Sequence, residues 1–285
     1  MPRLEDFVNL SAAVYGDPPP REVIVPSTEL GVNETWVFLR ESGSSNQPGY
    51  YGAAYFNERT KEVVLVNRGT NDLADLVTDM QMALDKVPDQ RTDAERFYNE
   101  VKDVAVVRGA TLSITGHSLG GSLTQLLVAN HAGESFNGVP VFGQTFNAFG
   151  VRGLLNDLGL ADTDYRVTNW VVPIDPVGNL AEHIGTKASL DGLPFSFTYL
   201  AGPPGVLSFL YDSHKIDQVR DTFIAGNNHP LLVETREFLI QTYVTDFSFP
   251  ITIDGQVIVG GNNRQNGAPT HRRVSQRPHV RRASR

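Results

Sequence analysis

Residues Thr111 to Gly121 read TLSITGHSLGG, an apolar run that meets Gly-x-Ser-x-Gly at Gly116, Ser118 and Gly120 and then enters a helix-forming stretch. Strand, sharp turn and helix in that order present a serine hydroxyl above a sheet, in a turn too tight for neighbouring side chains. The chemistry such a serine performs is acyl transfer. Its hydroxyl is a poor nucleophile until a base removes the proton, and the base needs a carboxylate to orient it and stabilise its charged form. The bare pattern can arise by chance in a chain with 26 glycines, so its meaning comes from the strand before and the helix after.

In this arrangement the acid and then the histidine follow the serine. Asp175, in VTNWVVPIDPVGNL, lies just past a β-forming run, on a loop at a strand's carboxyl end where open α/β sheets place their sites. The plainer reading is a turn aspartate before Pro176, and Asp191 and Asp212 are alternative acids. Of the seven histidines, His117 and His131 come too early, and His271 and His279 lie at the basic end of the chain. His214, in YDSHKIDQV, follows an apolar loop and precedes a helical pattern, a setting that leaves a base free to reach the serine. His183, in AEHIGTK, reads as a structural histidine in a strand, and His229 as a residue at a helix N-terminus. The oxyanion of the tetrahedral intermediate needs two donors. One is the backbone N–H of Leu119; Thr70, which follows Gly69 at the end of the Val63 to Asn67 strand, can offer both an N–H and a hydroxyl. Helix capping by Thr70 or Asn71 is an equally good use of those groups.

The elements that must position these residues are legible from periodicity. Short β-rich runs at 23–25, 36–39, 50–56 and 63–67 precede the serine, the last two joined by a polar turn as a hairpin. Helices are expected over 72–84, 94–107 and 118–131, with strands over 112–115, 141–146 and 166–172. This alternation predicts an α/β fold, a mostly parallel central sheet with helices on both faces and an N-terminal antiparallel hairpin. A helix over 230–244 and a hairpin over 249–259, turning at Asp254 and Gly255, complete a domain of residues 1–260. A segment rich in Asn, Gly, Pro, Ser and Arg follows, a disordered tail over 261–285.

Composition narrows the classes. With 40% hydrophobic and 20% charged residues the chain is ordinary globular material. The absence of cysteine excludes disulfides, thiolate metal sites and cysteine nucleophiles. The net charge is -8, and residues 264–285 hold seven arginines and no acid, so the rest of the chain carries -15. A body so acidic repels phosphate backbones, and no nucleic-acid partner is expected for the folded domain. No apolar run reaches the about 18 residues that a spanning helix needs. The start shows no secretory signal, so cytoplasmic localisation is expected, with signal-independent secretion the alternative.

Together, VLVNRGTND, ITGHSLGG, VVPIDPVGNL and SHKIDQV, in that order, resemble the class 3 lipase family, the fungal-lipase-like branch of the α/β-hydrolases, over residues 5–245. The resemblance implies an α/β-hydrolase fold with Ser118 as nucleophile, His214 as base, Asp175 as its partner, and Thr70 and Leu119 as oxyanion donors. It implies no metal and no organic cofactor. AEHIGTK is similar to the family's non-catalytic histidine strand. The family's lid helix often carries a tryptophan, whereas 72–84 offers Leu73, Leu76, Val77, Met80 and Leu84.

The expected activity is hydrolysis of lipid acyl esters, as a lipase or carboxylesterase, through an acyl-enzyme. The alternatives are a phospholipase, exported without a signal as an effector, and an inactive lipid-binding module. Residues 193–211 hold five aromatics and no charge just before His214, an expected acyl wall or contact with a lipid interface. The segments RRVS and RRAS resemble basophilic kinase sites, and their arginines suit anionic lipid surfaces. The sequence leaves the oligomeric state open.

Overall fold

The computed structural model describes residues 1–26, 32–43, 49–70, 80–173, 175–190, 214–217, 219–220, 251–253 and 256–259. Near the N-terminus, helix α1 (Leu4–Ala13) is followed by strands β1 (Glu22–Val25), β2 (Glu34–Glu41), β3 (Gly52–Asn57) and β4 (Glu62–Asn67). Helix α2 (Met80–Arg108), strand β5 (Thr111–His117) and helix α3 (Leu119–Asn130) come next. A small ladder of β6 (Ser135–Phe136) and β7 (Val139–Pro140) precedes β8 (Gly143–Phe146), β9 (Val167–Val171) and β10 (Thr186–Ser189).

Eight strands form one sheet in the order β1-β2-β3-β4-β5-β8-β9-β10. The first four pair antiparallel as a meander, and every pairing from β4 to β10 is parallel. The mostly parallel sheet and the antiparallel hairpin of β3 and β4 are as expected. β4 shows why both faces are covered: Val63 and Leu65 join one buried cluster while Val64 and Val66 join the other. A strand buried on both sides reads as a continuous apolar run, and EVVLVN does. The first cluster takes Phe97, Tyr98 and Val101 of α2 with Leu123, Leu126 and Leu127 of α3; the second takes Phe7, Val8 and Leu10 of α1.

The parallel register lines up the carboxyl ends of the central strands. Asn67 pairs with Gly116, His117 with Phe146, and Phe146 with Trp170. The loops that follow β4, β5, β8 and β9 therefore leave the sheet along one edge, where parallel sheets assemble their sites.

Three elements differ from the sequence reading. Helix α1 has no counterpart in it. Two separate helices were expected over 72–84 and 94–107, whereas from Met80 one helix runs without interruption to Arg108. Val87, Ala94, Phe97, Tyr98, Val101 and Ala105 keep one buried stripe across the polar stretch that suggests a break. His183 lies just before β10, not within a strand. Strands β11 (Ile251–Ile253) and β12 (Gln256–Val259) form the expected antiparallel hairpin, with its turn outside the described residues. Residues 72–79 of the helix expected over 72–84, the apolar stretch over 193–211, the helix over 230–244 and the tail also lie outside them.

Helices α2 and α3 are clamped at their edge by a polar cluster. His131, just past α3, stacks on Tyr98 at 3.8 Å between ring centroids and faces Glu95 at 2.7 Å and Glu134 at 3.1 Å. Burial opposes protonation of His131, yet the two carboxylates outweigh it and raise its pKa above the ordinary 6.5. A raised folded-state value means that the stabilisation is fully present below the unfolded pKa and is lost as pH rises through the folded one. Wild type should therefore exceed His131→Gln in Tm by the largest margin near about pH 6 and by a smaller one near about pH 9. Equal margins at both pH values in thermal melts would contradict this account.

Candidate active site

The elbow is built by β5 and α3. Ser118 sits between them with φ 57° and ψ −131°, a left-handed conformation that an ordinary residue adopts only under constraint. The constraint is on both sides. The Ser118 N–H donates to Phe146 O at 3.0 Å, while the Ser118 carbonyl accepts from Gly121 N at 2.9 Å and Ser122 N at 3.2 Å. Gly120 has to lack a side chain because a Cβ there would overlap the Asn67 carbonyl. That close approach seats the end of β4 against the start of α3. The seat is bonded as well: Asn67 Nδ2 donates to Thr124 Oγ1 at 3.0 Å, and Thr124 Oγ1 donates to Gly120 O at 2.9 Å.

Asp175 follows β9 and is fully buried, with its two oxygens completely engaged. Oδ1 accepts from Val177 N at 3.1 Å, Oδ2 from Gly178 N at 2.9 Å, and both face His214 Nδ1 at 3.0 Å. Backbone donors offset the cost of burying a carboxylate and aim it at the imidazole. His214 is likewise fully buried, with its backbone turning helically beyond it through Val219 N to Lys215 O. Because Nδ1–H is committed to Asp175, Nε2 is the basic nitrogen. Ser118 Oγ and His214 Nε2 are both buried without a hydrogen-bond partner among the described residues.

The oxyanion donors named from the sequence flank the same serine. Leu119 opens α3, so its N–H has no intrahelical acceptor. Gly69 lies so near the elbow that a Cβ on it would come within 3.0 Å of Ser118 Cβ and 2.7 Å of the His117 carbonyl. Thr70 is the next residue. The structure thus brings Ser118, Asp175, His214, Leu119 and the Gly69–Thr70 loop to one edge of the sheet. The alternatives Asp191, Asp212 and His229 lie outside the described residues. Among those residues, no group of three or more His, Cys, Asp or Glu side chains has the arrangement of a metal site.

A family model described as "Phospholipase-like: Tle-like phospholipase domain" matches residues 7–196, two thirds of the chain. The chain belongs to the Tle-like phospholipase domain family. The Tle-like family is one of lipase- and phospholipase-like hydrolases. The chain's fold is shared with a solved fungal lipase at 16% identity and a TM-score of 0.51, over 74% of this chain and 93% of that one. The Lip2 lipase of Yarrowia lipolytica aligns at 17% identity and a TM-score of 0.43, over 55% of this chain and 66% of that one. A mutant form of MDLA from Penicillium cyclopium aligns at 15% identity and 0.49, over 66% and 78%. The Tle-like chain therefore spans just under two thirds of the Yarrowia enzyme. A search of curated proteins finds no match in sequence.

Around Ser118, Asp175 and His214 of the Tle-like domain stand residues that the sequence reading did not single out. Asn147, at the end of β8 with φ 46°, accepts from Val172 N at 2.9 Å and so ties the start of the acid loop to the elbow's neighbour strand. Tyr15 Oη lies 2.8 Å from His117 Nδ1; His117 was set aside as preceding the acid, and nothing local marks Tyr15. His183 braces the acid loop from behind. Its Nε2–H donates to Gly178 O at 2.9 Å, and Gly178 N–H in turn donates to Asp175. Burial pushes the His183 pKa down to about 4.

A depressed folded value for a histidine means that the unfolded chain binds the proton first, so acid destabilises the fold between pH 6.5 and about 4. The slope from this one residue is at most about 1.4 kcal/mol per pH unit. His183→Gln, which retains a donor for Gly178, should flatten the pH dependence of urea-unfolding free energy by up to that slope. An unchanged slope would show that His183 does not titrate as its burial requires.

Proposed function

We propose that this protein hydrolyses the carboxylic esters of glycerophospholipids through a Ser118 acyl-enzyme. The observation that carries the reading is the buried His214–Asp175 pair, with Nδ1 held at 3.0 Å from both carboxylate oxygens and Nε2 without a hydrogen-bond partner among the described residues. In the first half-reaction His214 Nε2 takes the proton of Ser118 as Oγ bonds to the ester carbonyl carbon. Leu119 N–H and Thr70 stabilise the resulting oxyanion. Collapse breaks the bond to the lysolipid oxygen, which leaves with the proton returned by His214. Water then repeats the sequence on the acyl-enzyme and releases the fatty acid. Preorganised donors at the oxyanion are worth about 2.7–4 kcal/mol each in such sites.

The phospholipid headgroup is favoured by the family match over residues 7–196. Neutral lipid is the second reading, favoured by the fold shared with a fungal lipase.

The test is fatty-acid release from mixed phosphatidylcholine and phosphatidylglycerol vesicles, with triolein emulsion in parallel. Wild type should act on the vesicles faster than on triolein. Ser118→Ala and His214→Ala should lose about 10⁴- to 10⁶-fold in turnover, and Asp175→Ala about 10⁴-fold. A higher rate on triolein would select the lipase reading. Serine-independent release, or none on either substrate, would overturn the enzymatic assignment of Ser118.

A further inference from the structure

Three loops must agree for the chemistry just described: the Gly69–Thr70 segment after β4, the elbow after β5, and the later chain that carries His214. One path of hydrogen bonds joins all three, and it runs through two side chains with no place in the triad. Gly69 N–H donates to Tyr15 Oη at 3.1 Å; Tyr15 Oη meets His117 Nδ1 at 2.8 Å; His117 Nε2 meets the backbone oxygen of His214 at 2.6 Å.

Donor and acceptor roles along this path follow from its ends. A backbone carbonyl only accepts, so His117 carries its proton on Nε2. Burial, with His214 adding to it, holds the His117 pKa well below 6.5, so the ring is neutral and Nδ1 is a bare acceptor. Tyr15 therefore gives its one proton to His117, and its oxygen is free to accept from Gly69. Every bond points the same way, from the oxyanion loop to the base. Reversing one link would set two donors or two acceptors face to face.

Packing fixes both relay residues. Tyr15 lies just beyond α1, which is anchored to the sheet by Ser11 Oγ and Thr115 Oγ1 at 3.0 Å and by Trp36 Nε1 donating to Asp6 Oδ1 at 3.1 Å. The His117 ring lies edge-on to Tyr15 at 5.8 Å and tilted against the His214 ring at 4.8 Å between centroids. Gly69 allows the approach, since a Cβ at that position would overlap the Tyr15 hydroxyl.

We propose that Tyr15 and His117 are positioning residues, a relay that sets the oxyanion loop and the catalytic base in register about Ser118. The proposal rests on the triad reading above. Neither residue takes part in the bond-making steps proposed above, so the relay acts on turnover and leaves substrate binding alone. Misplacement of a reacting group by about 1 Å costs about 100-fold in rate.

The experiment compares full-length wild type with Tyr15→Phe, His117→Gln, His117→Leu and the Tyr15→Phe/His117→Leu double variant. Fluorophosphonate titration counts competent serines in each preparation, and p-nitrophenyl ester hydrolysis is expressed per titrated site. In Tyr15→Phe and His117→Leu, kcat per site should fall about 10- to 100-fold with KM within about twofold of wild type. His117→Gln retains a donor for the His214 carbonyl and should keep more activity than His117→Leu. Because both single changes cut one path, the double variant should lose less than the product of the two.

Per-site kcat unchanged in Tyr15→Phe and His117→Leu would overturn the relay, however many serines were lost to misfolding. So would a multiplicative double variant, or the disappearance of all titratable sites in every variant with a lowered Tm. A wild type that neither labels nor hydrolyses would instead sink the triad reading on which the relay rests.

Discussion

The backbone of Ser118, held at φ 57° and ψ −131°, is the constraint on which the site depends. A residue there stores strain of order 1–3 kcal/mol, and it persists only where the surroundings over-determine it. Here they do so from three directions. β5 is central to the sheet and enters the turn with a ladder on each side. The Phe146 carbonyl at the end of β8 takes the serine's own N–H, and α3 begins at once, its first amides closing on the Ser118 carbonyl. Loss of either neighbouring strand would let the turn relax into an ordinary helix start, with the hydroxyl directed elsewhere. The doubly covered core therefore serves the site as well as stability.

The second requirement is electrostatic. Asp175 and His214 are both fully buried, where an unpaired charge would be prohibitive. The amides of Val177 and Gly178 and the imidazole of His214 together occupy both carboxylate oxygens. Behind them His183 holds the Gly178 carbonyl, so the loop is fastened on the side away from the chemistry. The imidazole is oriented by its acid at one face and, through its own backbone carbonyl, by His117 at the other. In the proposed mechanism, a base fixed at two points loses little entropy in reaching the transition state.

Much of this was legible because local rules and the global fold agree. GHSLGG follows an apolar strand, and EVVLVN is apolar at every central position, so β4, β5 and α3 could be read from pattern alone. Asp175 and Leu119 were placed by their position relative to those elements. What escaped the sequence was set by tertiary contact. Helix α1 is short, and Tyr15 meets His117 only because α1 packs on β5, the strand that carries both Thr115 and His117. His117 was visible in the motif, but its contact lies 97 residues away at His214, a separation that no local rule reaches. Along α2, Val87 is buried in the same core cluster as Phe97 and Val101, which the polar sequence around it conceals.

The central claim is that Ser118 is the nucleophile and His214 the base that activates it. Mapping a fluorophosphonate adduct by peptide mass spectrometry tests it most directly, with wild type compared against His214→Ala. A single adduct on the peptide containing Ser118, lost or greatly slowed without His214, is the predicted result. An adduct on any other serine, or labelling of Ser118 that is indifferent to His214, would contradict the account.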